Sequence, residues 1–270
     1  MLEILILIIA GLVAGVGSVL LGMSAGIILV PIFFYFFHLQ HVPEIYIAPL
    51  AVGTGLACGW LAVMTSAWTH RREIEIDKRL LYILFINSFF AALFLHFAAP
   101  FLVGNIFTFL FAVLVLSLPL IKRIQKVGVM PKNTYRNNVL LTLGAGMVNG
   151  LGNVFGLGGG LFLVVFFRRF GYSMKTVLAH CMVAGSFNVF LFCAVYIVLG
   201  WHKPLPAYSL GYIYLPGMLL VGVPMIFSAK MATHWRNKIT HAWLNRLFNL
   251  LVISVGLLML VQTLNHILGK

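Results

Sequence analysis

Residues 4–37 form one apolar run without a charged side chain. As a straight helix, about 34 residues would extend ~51 Å, well beyond the roughly 30 Å hydrocarbon core of a bilayer. The run carries the stretch GLVAGVGSVLLGMSAGIILVP, from Gly11 to Pro31. Glycine costs about 1 kcal/mol per residue inside a helix relative to alanine. A second over-long run covers 138–167 and carries GAGMVNGLGNVFGLGGGLFLVV, from Gly144 to Val165. Two such segments, broken by glycines at corresponding places in the two halves, narrow the possible folds more than any other feature. Each is expected to break and reverse.

Six further apolar segments, at 47–69, 80–99, 101–121, 176–199, 208–229 and 243–264, have single-crossing length. With 62% hydrophobic and 9% charged residues, the chain has too little polar surface to coat a globule in water. It reads as an all-α polytopic membrane protein. Glu3, Glu44, Glu73, Glu75 and Asp77 lie at the N-terminus or in loops, so no span holds a carboxylate. That argues against a cation pump and against a carboxylate proton or sodium relay. The net charge of +13 collects between apolar runs, as a topological bias and not a nucleic-acid patch. Cys58, Cys181 and Cys193 sit in apolar runs without CxxC spacing and read as small buried hydrophobes. There is no HExxH and no Cys/His metal spacing, so neither an enzyme, a metal nor a cofactor is expected. Met1-Leu2-Glu3 lacks a basic n-region, which argues against a cleavable signal peptide.

Charge tests the reversals. The linkers 38–46 and 98–102 carry no Lys or Arg, and 200–207 carries only Lys203. Basic residues gather at 70–79, 122–137, 168–175 and 230–246. If every segment crosses once, the loops around 168–175 and 230–241 fall outside and break the positive-inside rule twice. If the first and fifth segments return to the side they left, every basic loop falls inside, every lean loop outside, and both termini outside. Each half then holds a glycine-broken hairpin, re-entrant or of paired short helices, plus three transmembrane helices. Three crossings are an odd number, so the repeats, 1–121 and 138–270, are inverted about a cytoplasmic linker at 122–137. Re-entry fits the short arm 26–37 better. Interrupted segments in corresponding positions of inverted repeats point to a transporter site.

The same glycine runs resemble a known family, the TauE/SafE sulfite-exporter-like membrane proteins. Its doubled pattern has the form G-x-x-S-G-x-x-G-I-G-G-G, followed by an aliphatic run and proline. The first copy spans Gly15 to Gly26, with Ser18, Gly22 and Ser24 inside it, and continues through Ile27 to Pro31. The second reads Gly156-Leu157-Gly158-Gly159-Gly160, preceded by Gly152 and Asn153. A following G-T-S-L-like element is Gly53-Thr54-Gly55-Leu56 here, then Ala179-His180-Cys181-Met182. His70-Arg71-Arg72 is similar to the family's H-x-R-R helix end, and Asn188 to a frequent second-half asparagine. Ser24-Ala25 replaces two glycines, and His180 stands where a small hydroxyl residue is usual. The resemblance implies transport of sulfite, sulfonates and related small organosulfur anions.

The chemistry agrees with an anion site. A helix N-terminus inside the membrane carries unpaired N–H groups and about half a positive charge. Glycines let an oxyanion approach the backbone. The first amides after Gly26 and Gly160 are the expected binding groups, with Ser18, Gly22, Ser24, Asn149, Asn153, Gly156, Gly158 and Gly159 around them. The competing reading is close helix packing through small residues. Thr54 and His180 occupy corresponding places; His180 could carry a proton or simply pack. Asn188, Ser186, Thr65 and Ser66 are weaker candidates beside interhelical hydrogen bonding. His70, Arg71 and Arg72 read as cytoplasmic anchoring or an anion entrance. Pro216 and Pro224 suggest a kinked seventh segment. The expected partners are a small anionic substrate and the lipid bilayer, not nucleic acid, with a homodimer open. The expected location is a bacterial inner (cell) membrane. The leading function is a secondary transporter or facilitator for a small sulfur-containing anion; the alternatives are a non-transporting membrane partner or assembly subunit, or an anion channel.

Overall fold

The computed structural model describes residues 2–21, 24–70, 78–98, 104–124, 149–150, 152–158, 174–236 and 241–267. The first apolar run divides at its glycines into α1 (Leu2–Leu21) and α2 (Gly26–Leu39). Gln40 Nε2 donates to Glu3 Oε2 at 3.3 Å, so the end of α2 lies beside the start of α1 and the run returns to the side it left. The arms are unequal. The 20 residues of α1 give about 30 Å of helix, the 14 of α2 about 21 Å. The turn out of α2 is a Schellman motif. His41, at φ 54°, sends its N–H to His38 O, and Val42 N–H reaches Phe37 O at 3.2 Å.

Among the described residues the longer helices that follow are α3 (Glu44–His70), α4 (Lys78–Ala98), α5 (Gly104–Ile124), α6 (Met174–Gly200), α7 (Leu215–Arg236) and α8 (His241–Ile267). Among the described residues five helices, α1, α3, α6, α7 and α8, are long and apolar enough to cross a membrane. The apolar stretches of α4 and α5, Leu84–Leu95 and Gly104–Pro119, are shorter. The expected segment 208–229 begins later than its composition suggests. Residues 209–214 form a small antiparallel ribbon, β1 (Ser209–Leu210) with β2 (Ile213–Tyr214). Tyr208 and Gly211, at φ 64° and 54°, cannot continue a right-handed helix. Pro216 falls in the first turn of α7, where a missing N–H breaks no helical bond, while Pro224 lies inside it.

Lipid and protein faces separate by side chain. Phe33, Phe37, Phe107, Phe111, Phe192 and Phe248 are fully buried, whereas Phe89, Phe90, Phe94 and Phe227 point outward. The phenylalanines are thus divided between core and exterior. Helix α1 runs along α7, α2 packs on α3, α3 on α6 and α7, α4 on α6, and α5 on α8. Gly11 lies on the Val221 carbonyl, and Gly15 on the Met225 carbonyl and Ser228 Oγ. Their four-residue interval places both on one face of α1, so the backbones of α1 and α7 approach directly. These two glycines follow the packing reading.

The contacts also fix helix directions. Gly53 faces Tyr196 and Trp60 faces Phe190, so α3 and α6 are antiparallel. Thr263 Oγ1 donates to Thr108 Oγ1 at 2.9 Å, joining the end of α8 to the start of α5. Phe34, in the second half of α2, stacks on Phe107 of α5 at 6.5 Å, and Tyr214 packs on Phe36 and Phe37. One end of the bundle therefore gathers the start of α1, the α2–α3 corner, the ribbon, the start of α5 and the end of α8.

Candidate functional site where two helix breaks meet

The second glycine run breaks by the same turn chemistry that closes α2. A helical stretch through Asn149, Gly150 and Gly152–Val154 ends in a Schellman motif: Gly156 N–H bonds Asn153 O at 2.9 Å and Leu157 N–H bonds Gly152 O at 2.7 Å. Gly156 is at φ 71° and Gly158 at 64°, conformations in which a side chain would be strained. Phe155 stacks on Phe107 at 5.6 Å, and Tyr196 Oη donates to Val154 O at 3.1 Å, which holds the arm against α5 and α6. Removing that hydroxyl in Tyr196→Phe leaves a buried carbonyl without its partner. The expected cost is about 1–3 kcal/mol in a thermal or denaturant melt of the purified protein.

The two breaks touch. The Gly26 Cα lies on the Gly156 carbonyl so closely that any Cβ there would overlap it. A Cβ at Gly158 would come within 2.8 Å of Ser24 Oγ, and one at Gly156 within 2.9 Å of Val30 Cγ2 and 3.2 Å of Val52 Cγ1. Val52 lies about 12 Å along α3 from its start, so the contact sits well inside the bundle.

The polar groups around the contact divide into used and unused. Gly26 N–H reaches Ser24 Oγ at 3.3 Å, Ile27 N–H reaches Ser24 O at 3.2 Å, and the N–H groups of Ile28 and Leu29 reach Ala25 O at 3.0 and 2.9 Å. The first amides of α2, expected to bind an anion directly, are therefore bonded within their own turn, and an anion there would compete with Ser24. Ser18 Oγ donates to Gly15 O at 2.8 Å and Ser186 Oγ to Val183 O at 2.8 Å, both back-bonds on their own helices. Thr54, fully buried, accepts the Tyr214 N–H at 3.0 Å and pins the ribbon to α3. Burial, and then the charge of Glu3, pushes the Tyr214 phenol above its ordinary pKa. Asn153 Nδ2 donates to Asn149 O at 2.8 Å and Asn149 Oδ1 at 3.3 Å. The Oδ1 atoms of Asn153 and Asn188 are buried and accept no hydrogen bond among the described residues.

Gly22, Gly159, Gly160, Arg71 and Arg72 lie outside the described residues, as do the side chains of Thr65, Ser66, His70 and His180. The backbone of His180 is in the first two turns of α6. One correspondence was missed in the sequence. The interval from Gly22 to Gly156 also separates Ser24 from Gly158, Gly26 from Gly160 and Thr54 from Asn188. Counted from the breaks, Thr54 pairs with Asn188 and not with His180, and both are almost wholly buried. The ribbon likewise gave no alternating signal, because each strand is two residues long. A shallow cleft of about 480 Å³ lined by His38, Leu39, His41, Val42, Pro43 and Glu44 lies at the α2–α3 corner, at the opposite end of α2 from Gly26.

A bundle of membrane-length apolar helices built around two touching breaks is consistent with a polytopic membrane protein. Comparison with known proteins narrows this. The family described as "Sulfite exporter TauE/SafE" matches residues 7–259, and the chain belongs to it. A Haemophilus influenzae protein named "Probable membrane transporter protein" is 30% identical over 269 residues, covering 96% of this chain and 98% of its own. A protein of the same description from Methanocaldococcus jannaschii is 24% identical over 259 residues, covering 95% of each.

Proposed function

We propose that this chain is a secondary transporter or facilitator for a small sulfur-containing anion, sulfite or an organosulfonate, held where the two breaks meet. The observation that carries this reading is the contact of Gly26 with the Gly156 carbonyl and of Ser24 with Gly158. Irregular backbone at membrane depth persists only where protein or a water-lined cavity covers it. The N-terminal end of α2 brings a partial positive charge to that depth. Of the described acidic residues, Glu3 is in the first turn of α1 and Glu44 is the exposed first residue of α3, so neither carboxylate lies at the contact of the breaks. The sulfur assignment leans on the family's description.

The pattern of contacts supports two inverted repeats, 1–121 and 138–270, joined at 122–137. Ser24 and Gly158 are counterparts by the common interval, and they touch each other. Helices α3 and α6, and α5 and α8, are counterparts that pack together. The close approach of α1 to α7 is answered by Gly150 of the second arm against Ala91 of α4. A two-fold axis in the membrane plane generates such exchanges, and alternating access moves one repeat against the other about the fixed site. The lean linkers and both chain ends then face outward in an inner membrane, with the basic helix ends on the cytoplasmic side.

Two measurements test this. Proteoliposomes holding only this protein should show saturable flux of sulfite or a two-carbon sulfonate; flux without saturation would indicate a pore, and no flux from folded protein would refute the assignment. A reporter fused after Lys270 should read as external. A cytoplasmic signal would sink the inverted arrangement.

A further inference from the structure

We infer that the second break selects an oxyanion that still carries a proton, in preference to a fully ionised one; this rests on the proposed anion transport. A site for a bare anion should present donors alone. Asn153 does the reverse. Its Nδ2 is committed to Asn149 O at 2.8 Å and Asn149 Oδ1 at 3.3 Å, which fixes the amide, since the flipped form would set oxygen against both oxygens. Its Oδ1, in a side chain 0% exposed, accepts nothing among the described residues. The Asn153 carbonyl accepts the Gly156 N–H, so this oxygen is held within one turn of the break.

Asn188, on the helix whose Tyr196 bonds the same arm, has a second buried Oδ1 without a partner and is 2% exposed. A buried acceptor in this state is costly, and an O–H on the ligand relieves it, whereas a fully ionised oxygen opposes it. A hard cation is a poorer match. It takes about six oxygens or more, usually with carboxylates, and these helices supply none. The described titratable side chains on the elements packed against the arm are Tyr35 and His38 on α2, Glu44, Tyr46 and Cys58 on α3, Tyr82 on α4, and Cys193 and Tyr196 on α6; of these Tyr35, His38, Glu44 and Tyr82 are exposed. His180 on α6 is the further titratable residue for which the test must control.

The test compares two substrates in proteoliposomes, with the flux of empty liposomes subtracted. Sulfite takes up a proton near neutral pH; methanesulfonate stays ionised throughout and so reports any titration of the protein itself. Sulfite flux, divided by methanesulfonate flux at the same pH, should fall about tenfold per pH unit once sulfite is mostly ionised. Below that point sulfite should be at least about tenfold faster. Asn153→Leu and Asn188→Leu, each checked for an intact melt, should bring the ratio toward one. Equal flux of both anions at every pH would overturn the inference and leave anion transport standing. Sodium-dependent flux with a flat pH ratio would overturn it in favour of a cation at these oxygens. Absence of flux for either anion would instead refute the proposed function.

Discussion

Gly26→Val is expected to reduce anion flux to the level of empty liposomes. The Gly26 Cα rests on the Gly156 carbonyl, and a branched side chain there has nowhere to go. Neither neighbour can yield cheaply. Gly156 is locked by its Schellman bonds and by Val30 and Val52 on its other side, and Gly26 is the first residue of α2. The two breaks must therefore separate. Overpacking of this kind costs about 1–3 kcal/mol, so a folded but inactive protein is the expected product. Gly59→Ala is the control. A Cβ at Gly59, on α3, meets nothing within 4 Å, and removing an interior helical glycine should add up to about 1 kcal/mol of stability with flux unchanged. Full activity in Gly26→Val would show that the contact of the breaks is not where the anion passes.

How much of this was legible in the sequence follows from the period and strength of each signal. The break after Leu21 was readable because 34 apolar residues do not fit a bilayer as one straight helix. The return of α2 was readable from charge, since the 38–46 linker carries no Lys or Arg. What glycine does at each position was not. Gly11 and Gly15 serve helix packing, whereas Gly26, Gly156 and Gly158 make the breaks and their contact. Composition cannot tell these roles apart, because the deciding atoms belong to Val221, Met225, Gly156 and Ser24, some of them more than 200 residues away in sequence. Thr54 stood out in the sequence as a candidate substrate-binding residue beside Gly53 and Gly55, but its hydrogen-bond partner, the Tyr214 N–H, sits on a ribbon too short to announce itself.

Gly15→Val should have its largest effect on folding. Helices in lipid gain little from burying apolar surface against each other, since the lipid tails are equally apolar, and depend on close packing instead. Helix α1 shows the consequence. Ile4, Leu5, Ile6, Ile9, Leu12 and Val13 face outward, while Leu7, Ala10, Gly11, Ala14 and Gly15 form the narrow face buried in the protein. A Cβ at Gly15 would overlap Ser228 Oγ and the Met225 carbonyl, and the second of these is backbone of α7 and not the end of a flexible side chain. Valine must therefore push α1 away from α7 along its length. The expected loss is at least about 1–3 kcal/mol, read as a lower melting temperature and poorer recovery of monodisperse protein in detergent. Gly17→Ala separates this effect from loss of glycine as such. At Gly17 the nearest atom is Ile28 Cδ1, 3.2 Å from the ideal Cβ, the far end of a flexible side chain. That variant should fold normally. If Gly15→Val melts with the wild type, α1 is held by its loop and lipid anchors and not by this face. The hairpin would then owe its place to the contact at Gly26 and Gly156, and Gly26→Val would be the more destabilising of the two.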